Sequence, residues 1–182
     1  LLAIAGAIEA EQGQLAALLS REQGKPLKSA LGEIGGALYW IRATAALRPV
    51  IERIEKGDGP IVEIHRRPLG VVGSITPWNF PVMIAIWHVI PALLAGNSVV
   101  IKPSPNTPLT TLCLAEIANR HLPAGVFNAV TGDVEIGSAM ARHPGIDKIV
   151  FTGSTPTGRA IMRDGAANLK RLTLELGGND AA

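Results

Sequence analysis

The segment Val71-Val72-Gly73-Ser74-Ile75-Thr76-Pro77-Trp78-Asn79-Phe80-Pro81 decides the fold. It begins as a short β-branched run, reads as a strand, and breaks into a polar turn before an apolar helical run over 81–94. The same unit recurs downstream. Strands are expected at Ser98-Val99-Val100-Ile101-Lys102, Val126-Phe127-Asn128-Ala129-Val130, Lys148-Ile149-Val150-Phe151 and Leu172-Thr173-Leu174-Glu175-Leu176. Helices are expected over 108–121, 134–142 and 155–165. Repeated βα units joined by right-handed crossovers give a parallel sheet with helices on both faces.

Upstream the pattern is helical over residues 1–47. Leu2, Ala5 and Ile8, then Leu15, Leu18 and Leu19, keep an apolar face. Gly24 and Pro26 end a first helix, and a second runs from about Ser29 to Leu47. Glu55-Lys56-Gly57-Asp58-Gly59-Pro60 reads as a turn. Residues 61–66 alternate like a half-exposed strand. The chain thus divides into 1–66, a helical segment with an edge strand, and 67–182, the βα units.

Composition narrows the function. A chain of 182 residues, 47% hydrophobic, is long and apolar enough for one domain with a substantial core. Lys+Arg 17 against Asp+Glu 15, with no basic run, argues against a nucleic-acid partner. The apolar run over 82–95 is interrupted by His88 and Pro91. It falls short of the roughly 20 residues of a membrane helix, so it reads as a buried helix and no membrane partner is expected. The single cysteine, Cys113, excludes an internal disulfide and fits a reducing compartment, hence a cytoplasmic location.

In open parallel sheets, ligands bind beyond the carboxyl ends of the strands. Those ends carry Thr76-Pro77-Trp78-Asn79, Lys102-Pro103-Ser104-Pro105, Thr131-Gly132, Thr152-Gly153-Ser154-Thr155-Pro156-Thr157-Gly158 and Glu175-Leu176-Gly177-Gly178. One such end is ordinary loop chemistry; five on one rim point to a ligand. Asn79 can donate its amide to a developing oxyanion, or merely hold a proline-flanked turn. Lys102 is costly to bury unpaired, so it reaches solvent or meets an anionic or hydroxyl-rich partner. The 153–158 loop precedes a helix, where its donors suit a pyrophosphate or simply cap the helix. Glu175 can activate water as a general base, or stand solvated at a strand end. Gly177-Gly178 favours close approach of a ligand to the backbone.

Taken in order, Pro77-Trp78-Asn79-Phe80-Pro81, Lys102-Pro103-Ser104, Phe151-Thr152-Gly153-Ser154-Thr155 with Gly158, and Glu175-Leu176-Gly177-Gly178 resemble the NAD(P)-dependent aldehyde dehydrogenase superfamily. Glu22-Gln23-Gly24-Lys25-Pro26 resembles its N-terminal helical region. The resemblance covers essentially the whole chain. It implies an α/β fold with a Rossmann-like parallel sheet and flanking helices, preceded by an N-terminal helical segment. It implies NAD or NADP as cofactor, a small aldehyde as substrate, and a homo-oligomeric parent in which residues 61–66 are part of an oligomerisation hairpin whose completing strand lies near the parent's C-terminus. Asn79 becomes the oxyanion donor and Glu175 the base that activates water to hydrolyse a thioester. Thr76, Pro77, Trp78, Lys102, Ser104, Pro105, Gly132, Gly153, Ser154 and Leu176 become cofactor-binding, with Lys102 on the adenosine ribose and Trp78 near the pyrophosphate. Many NAD-preferring members carry a glutamate three residues after the strand-end lysine. Pro105 stands there in this chain, so NADP is expected to be accepted as well as NAD.

The family's reacting cysteine lies a few dozen residues beyond Glu-Leu-Gly-Gly, whereas this sequence reaches only Asn179-Asp180-Ala181-Ala182. The expectation is the cofactor half of a longer enzyme, with the catalytic domain absent. Cys113, mid-helix in Thr110-Thr111-Leu112-Cys113-Leu114-Ala115, reads as a buried inert thiol. His65, His88, His121 and His143 share no metal-ligand spacing, so no metal is expected, and His88 reads as a satisfied core residue. Two alternatives stand: a reductase or CoA-acylating relative, against which Glu175 argues, and a non-catalytic dinucleotide-binding fragment.

Overall fold

Three helices open the chain in the computed structural model, which describes residues 1–47, 50–55, 57 and 59–178. They are α1 (Leu2–Ala10), α2 (Gln12–Gln23) and α3 (Leu27–Ala46). The single first helix expected from the apolar spacing is broken at Glu11, where φ −102° and ψ 9° leave helical geometry. There the Glu11 carboxylate is held by Arg120, 2.6 Å away. Leu2, expected on the apolar face, is 65% exposed, and Ile4 is buried instead. Gly24 ends α2 as expected, at φ +85° with its N–H on the Ser20 carbonyl, a left-handed cap that glycine adopts without strain. Pro26 then caps α3, so that helix starts two residues before Ser29.

The strand expected at 61–66 is not an edge of the main sheet. It is β2 (Val62–Ile64), whose antiparallel partner is the upstream strand β1 (Glu52–Ile54) rather than one near the parent's C-terminus, in a separate hairpin whose strand residues are all exposed. Part of the turn expected at 55–60 lies outside the described residues, as do Asn179, Asp180, Ala181 and Ala182.

The alternating units follow. They are β3 (Val71–Ile75), α4 (Pro81–Leu94), β4 (Ser98–Lys102), α5 (Leu109–Asn119), β5 (Phe127–Ala129), α6 (Val134–Arg142), β6 (Lys148–Gly153), α7 (Thr155–Gly165) and β7 (Arg171–Leu176). Pro81 begins α4 where its missing N–H needs no intrahelical partner. Asn97 fastens the α4–β4 connection: its Oδ1 accepts from Leu69 N (2.6 Å) and Gly70 N (3.1 Å), and its Nδ2 donates to the Ala92 carbonyl.

All five strands are parallel, in the order β5-β4-β3-β6-β7. Strand alternation sends Val72, Val99 and Ile101 to one face, where α4 and α5 cover them. Ile4, Ile8, Leu15, Leu19, Ile34 and Ile41, each at most 1% exposed, join that same cluster. Each such side chain contributes about 1.5–3 kcal/mol on burial, so the N-terminal helices are part of the sheet's core. The opposite face buries Ile75, Ile149 and Phe151 under Met140, Ala141 and Ile161 of α6 and α7. From β3 the chain steps outward to β4 and β5, then returns to β6 on β3's other side. That reversal opens a crevice between the carboxyl ends of β3 and β6, where ligands bind in such sheets.

Candidate functional site

A cavity of about 790 Å³ lies at that crevice. The β3–α4 loop supplies Pro77, Trp78 and Asn79; β6 supplies Thr152 and Gly153; the end of β7 supplies Glu175 and Leu176, with Gly177 following it. Asn79 and Glu175, far apart in sequence, thus line one cleft. The Asn79 Oδ1 accepts from Phe80 N at 3.1 Å. This fixes the amide plane, and Nδ2 has no hydrogen-bond partner among the described residues. Thr152 and Glu175 are neighbours across β6 and β7.

His88 of α4 also borders this cavity. It is 6% exposed, with Nδ1 2.9 Å from Ser74 Oγ and Nε2 3.0 Å from Thr152 Oγ1. Burial lowers its pKa from 6.5 to about 4, so the ring is neutral at physiological pH. The satisfied core histidine expected from the sequence is correct, and it also fixes a cavity-lining hydroxyl. Trp40 and Trp87, with ring centroids 5.9 Å apart, complete an aromatic wall. All three tryptophans of the chain therefore face one cleft.

A second cavity, about 410 Å³, lies on the other face of the sheet among Ile75, Lys102, Pro105, Gly137, Thr157 and Asp164, with other residues of α6 and α7. Lys102 is 5% exposed, and its Nζ donates to the Pro103 carbonyl at 3.0 Å. Burial lowers its pKa, and the nearby Asp133 charge partly offsets this. A Cβ on Gly137 would meet the Lys102 stem at ordinary van der Waals distance, 3.7 Å from Cε, so this helix surface packs directly against the lysine.

The remaining candidates serve the loops. Thr76 is buried; its N–H donates to the Lys102 carbonyl, and its Oγ1 has no partner among the described residues. Ser104 Oγ accepts from Asn106 N at 3.3 Å, a turn-closing bond. Gly132 has φ +148°, and a Cβ there would strike Ile136. None of these three lines either cavity. Ser154 caps α7, accepting from Thr157 N. Gly153 is required by a neighbouring ring, since a Cβ would stand 2.5 Å from Phe151 Cζ.

Residues 1–182 match the family model described as the aldehyde dehydrogenase family. The chain belongs to the aldehyde dehydrogenase family. It is 42% identical over 190 residues to the NADP/NAD-dependent aldehyde dehydrogenase PuuC of Escherichia coli K12, covering 98% of this chain and 37% of that protein. The crystal structure of lactaldehyde dehydrogenase from Escherichia coli superposes with a TM-score of 0.91 at 37% identity, over 97% of this chain and 38% of that one. PnpE in complex with nicotinamide adenine dinucleotide gives 0.89 at 40% identity, over 97% and 37%. The chain thus spans a little over a third of the length of the aldehyde dehydrogenases it matches, and its fold is the Rossmann-like α/β sheet of those structures.

Within this aldehyde dehydrogenase chain Cys113, expected to be buried, is only half-buried on α5, packed at the margin of the core, and lines neither cavity. Burial, then Glu11 and Glu116, raise its thiol pKa, while Arg120 opposes them, so the thiol stays protonated. Among the described residues no three His, Cys, Asp or Glu side chains gather as a metal site, and no helix is long and apolar enough to cross a membrane. Sequence reasoning missed Trp40, Trp87, Thr152 and Thr173 as cavity residues. Thr152 alone carried a signal, its place at a strand end. It also missed Glu33, a carboxylate set beside Ile34 and Ala37 on the buried face of α3.

Proposed function

We propose that this chain builds the cofactor-binding and acid–base half of an enzyme that oxidises an aldehyde to a carboxylic acid with NAD or NADP. The observation that carries the reading is the single cavity shared by an amide with a free donor, Asn79, and a carboxylate, Glu175. The residues fit a dinucleotide. Lys102 buries an ammonium with one hydrogen on the Pro103 carbonyl, and its other hydrogens are left for ribose hydroxyls. Lys102, Pro105 and Thr157 would hold the adenosine end. Trp78 and Gly153 would lie by the pyrophosphate, and Pro77 and Leu176 would hold the nicotinamide end, with Thr76, Ser104, Gly132 and Ser154 shaping the loops beneath. Bound there, the dinucleotide supplies the hydride acceptor.

The chain's own groups do the rest. Asn79 Nδ2 donates to the aldehyde oxygen as it gains charge under nucleophilic attack, and such a donor contributes about 3–4 kcal/mol in comparable sites. Glu175 takes a proton from the water that releases the acid. Trp40 and Trp87 give the substrate an apolar wall. Cys113 is remote from the cleft, so the attacking thiolate comes from outside residues 1–182. The exposed β1–β2 hairpin supports homo-oligomeric assembly of the parent, and the reduced single cysteine a cytoplasmic setting.

The test is Glu175→Gln in the full-length enzyme. Release of the acid slows more than hydride transfer, giving a burst of reduced cofactor followed by a slow steady state. An unchanged steady-state rate would remove Glu175 from the base role.

A further inference from the structure

The segment Glu22-Gln23-Gly24-Lys25-Pro26 closes α2 and leads into α3, outside both cavities, yet its side chains reach the Asn79 loop. Lys25 Nζ donates to the Asn79 carbonyl at 3.0 Å, and Gln23 Nε2 approaches the same oxygen at 3.4 Å. The Lys25 ammonium also sits 4.4 Å from the centre of the Phe80 ring. Glu33, 4% exposed on α3, forms an ion pair with Lys25 through Oε2. Its other oxygen accepts from Val82 N (2.9 Å) and Met83 N (3.1 Å), closing the first turn of α4. A buried carboxylate is costly unless paired and hydrogen-bonded, and Glu33 has both kinds of partner.

These contacts converge on one peptide. The Asn79 carbonyl is gripped from the N-terminal helices, its Oδ1 is held by Phe80 N, and the helix that follows is anchored by the same Glu33. The side-chain donor Nδ2, left without a partner among the described residues, is the group aimed at the reaction. An amide hydrogen bond to an oxyanion depends steeply on distance and angle, so the donor's value rests on what holds its backbone.

We propose that Lys25, backed by Glu33 and assisted by Gln23, is a positioning residue that fixes Asn79 as the oxyanion donor. The proposal rests on the assignment of Asn79 given above. Lys25 acts through Asn79 and touches neither substrate nor cofactor. Glu22, in the last turn of α2, plays a different part. It caps α5 by accepting from Leu109 N, Thr110 N and Thr110 Oγ1.

A double-mutant cycle in the full-length enzyme tests this. Lys25→Met is expected to lower kcat on the order of 10-fold to 100-fold with KM changed by less than about twofold. In an Asn79→Ala background the same substitution is expected to do nothing further, because the group it positions is gone. Lys25→Met leaves Glu33 buried without its cation, so the cycle is repeated with Lys25→Met/Glu33→Gln, which keeps the acceptor for α4. Glu22→Gln is the comparison: it loosens α5 and lowers stability but leaves kcat unchanged. In the 182-residue chain, Lys25→Met/Glu33→Gln should shift the Asn79 side-chain NH₂ resonance while Glu22→Gln should not. Equal losses from Lys25→Met with and without Asn79 would overturn the clamp and leave the Asn79 role standing. No loss from Asn79→Ala alone would overturn the Asn79 assignment and the clamp with it.

Discussion

Acidification should destabilise this protein through one imidazole. His88 sits between Ser74 and Thr152 with its pKa lowered from 6.5 to about 4 by burial. Both hydroxyl partners can rotate to accept from an imidazolium, so the hydrogen bonds survive protonation and the penalty is desolvation of the charge. Between these two pKa values the unfolded chain binds the proton and the folded chain does not. Stability from this group is therefore fully present above the unfolded value and is lost as pH falls toward 4. Linkage gives a loss of about 2 kcal/mol at pH 5 relative to pH 8, rising to about 3 kcal/mol at lower pH. Urea denaturation followed by tryptophan fluorescence at about pH 8 and about pH 5 measures it, with His88→Gln as the comparison. Surface carboxylates titrate in both proteins, so the difference between their pH dependences isolates the histidine. Identical pH dependences, or a His88 ring that titrates near 6.5 by NMR, would refute the reasoning.

Two other outcomes are expected. The 182-residue chain with NAD or NADP shows no thiol-dependent aldehyde oxidation, because Cys113 is on α5 and away from the cleft; steady turnover abolished by Cys113→Ser would contradict this. Pro105 lines the Lys102 cavity without charge, so the full-length enzyme accepts NADP as well as NAD, and Pro105→Glu shifts the kcat/KM ratio toward NAD by placing a carboxylate where a 2′-phosphate would sit. Strong rejection of NADP by the parent, unaltered by that substitution, would place Pro105 away from the ribose.

The strands from Val71 onward were legible because each is a short β-branched run closed by turn residues, a signal that survives without tertiary context. Val71–Ile75, Pro81–Leu94, Ser98–Lys102, Val134–Arg142 and Thr155–Gly165 have the bounds read from the sequence. The rim was legible for the same reason, since βα repetition places every strand end on one edge. The break at Glu11 was hidden because the apolar face continues past it, and what holds Glu11 is Arg120, which follows α5. The β1–β2 hairpin was half hidden, because Glu52–Ile54 carries no apolar alternation and is defined only by its partner.

By itself, then, the sequence determined the order of strands and helices from Val71 onward, the chemistry along the rim, and the placement of Cys113 on a helix among apolar residues. These rest on local backbone preference and residue type. Only the tertiary structure decided that Asn79 and Glu175 share one cleft, that the three tryptophans wall it, and that Ser104 closes a turn while Ser154 caps a helix. It alone joined Lys25 and Glu33 to the Asn79 loop. Such contacts link residues far apart in the chain, and their energies come from burial and hydrogen-bond geometry that exist only once the N-terminal helices have packed against the sheet.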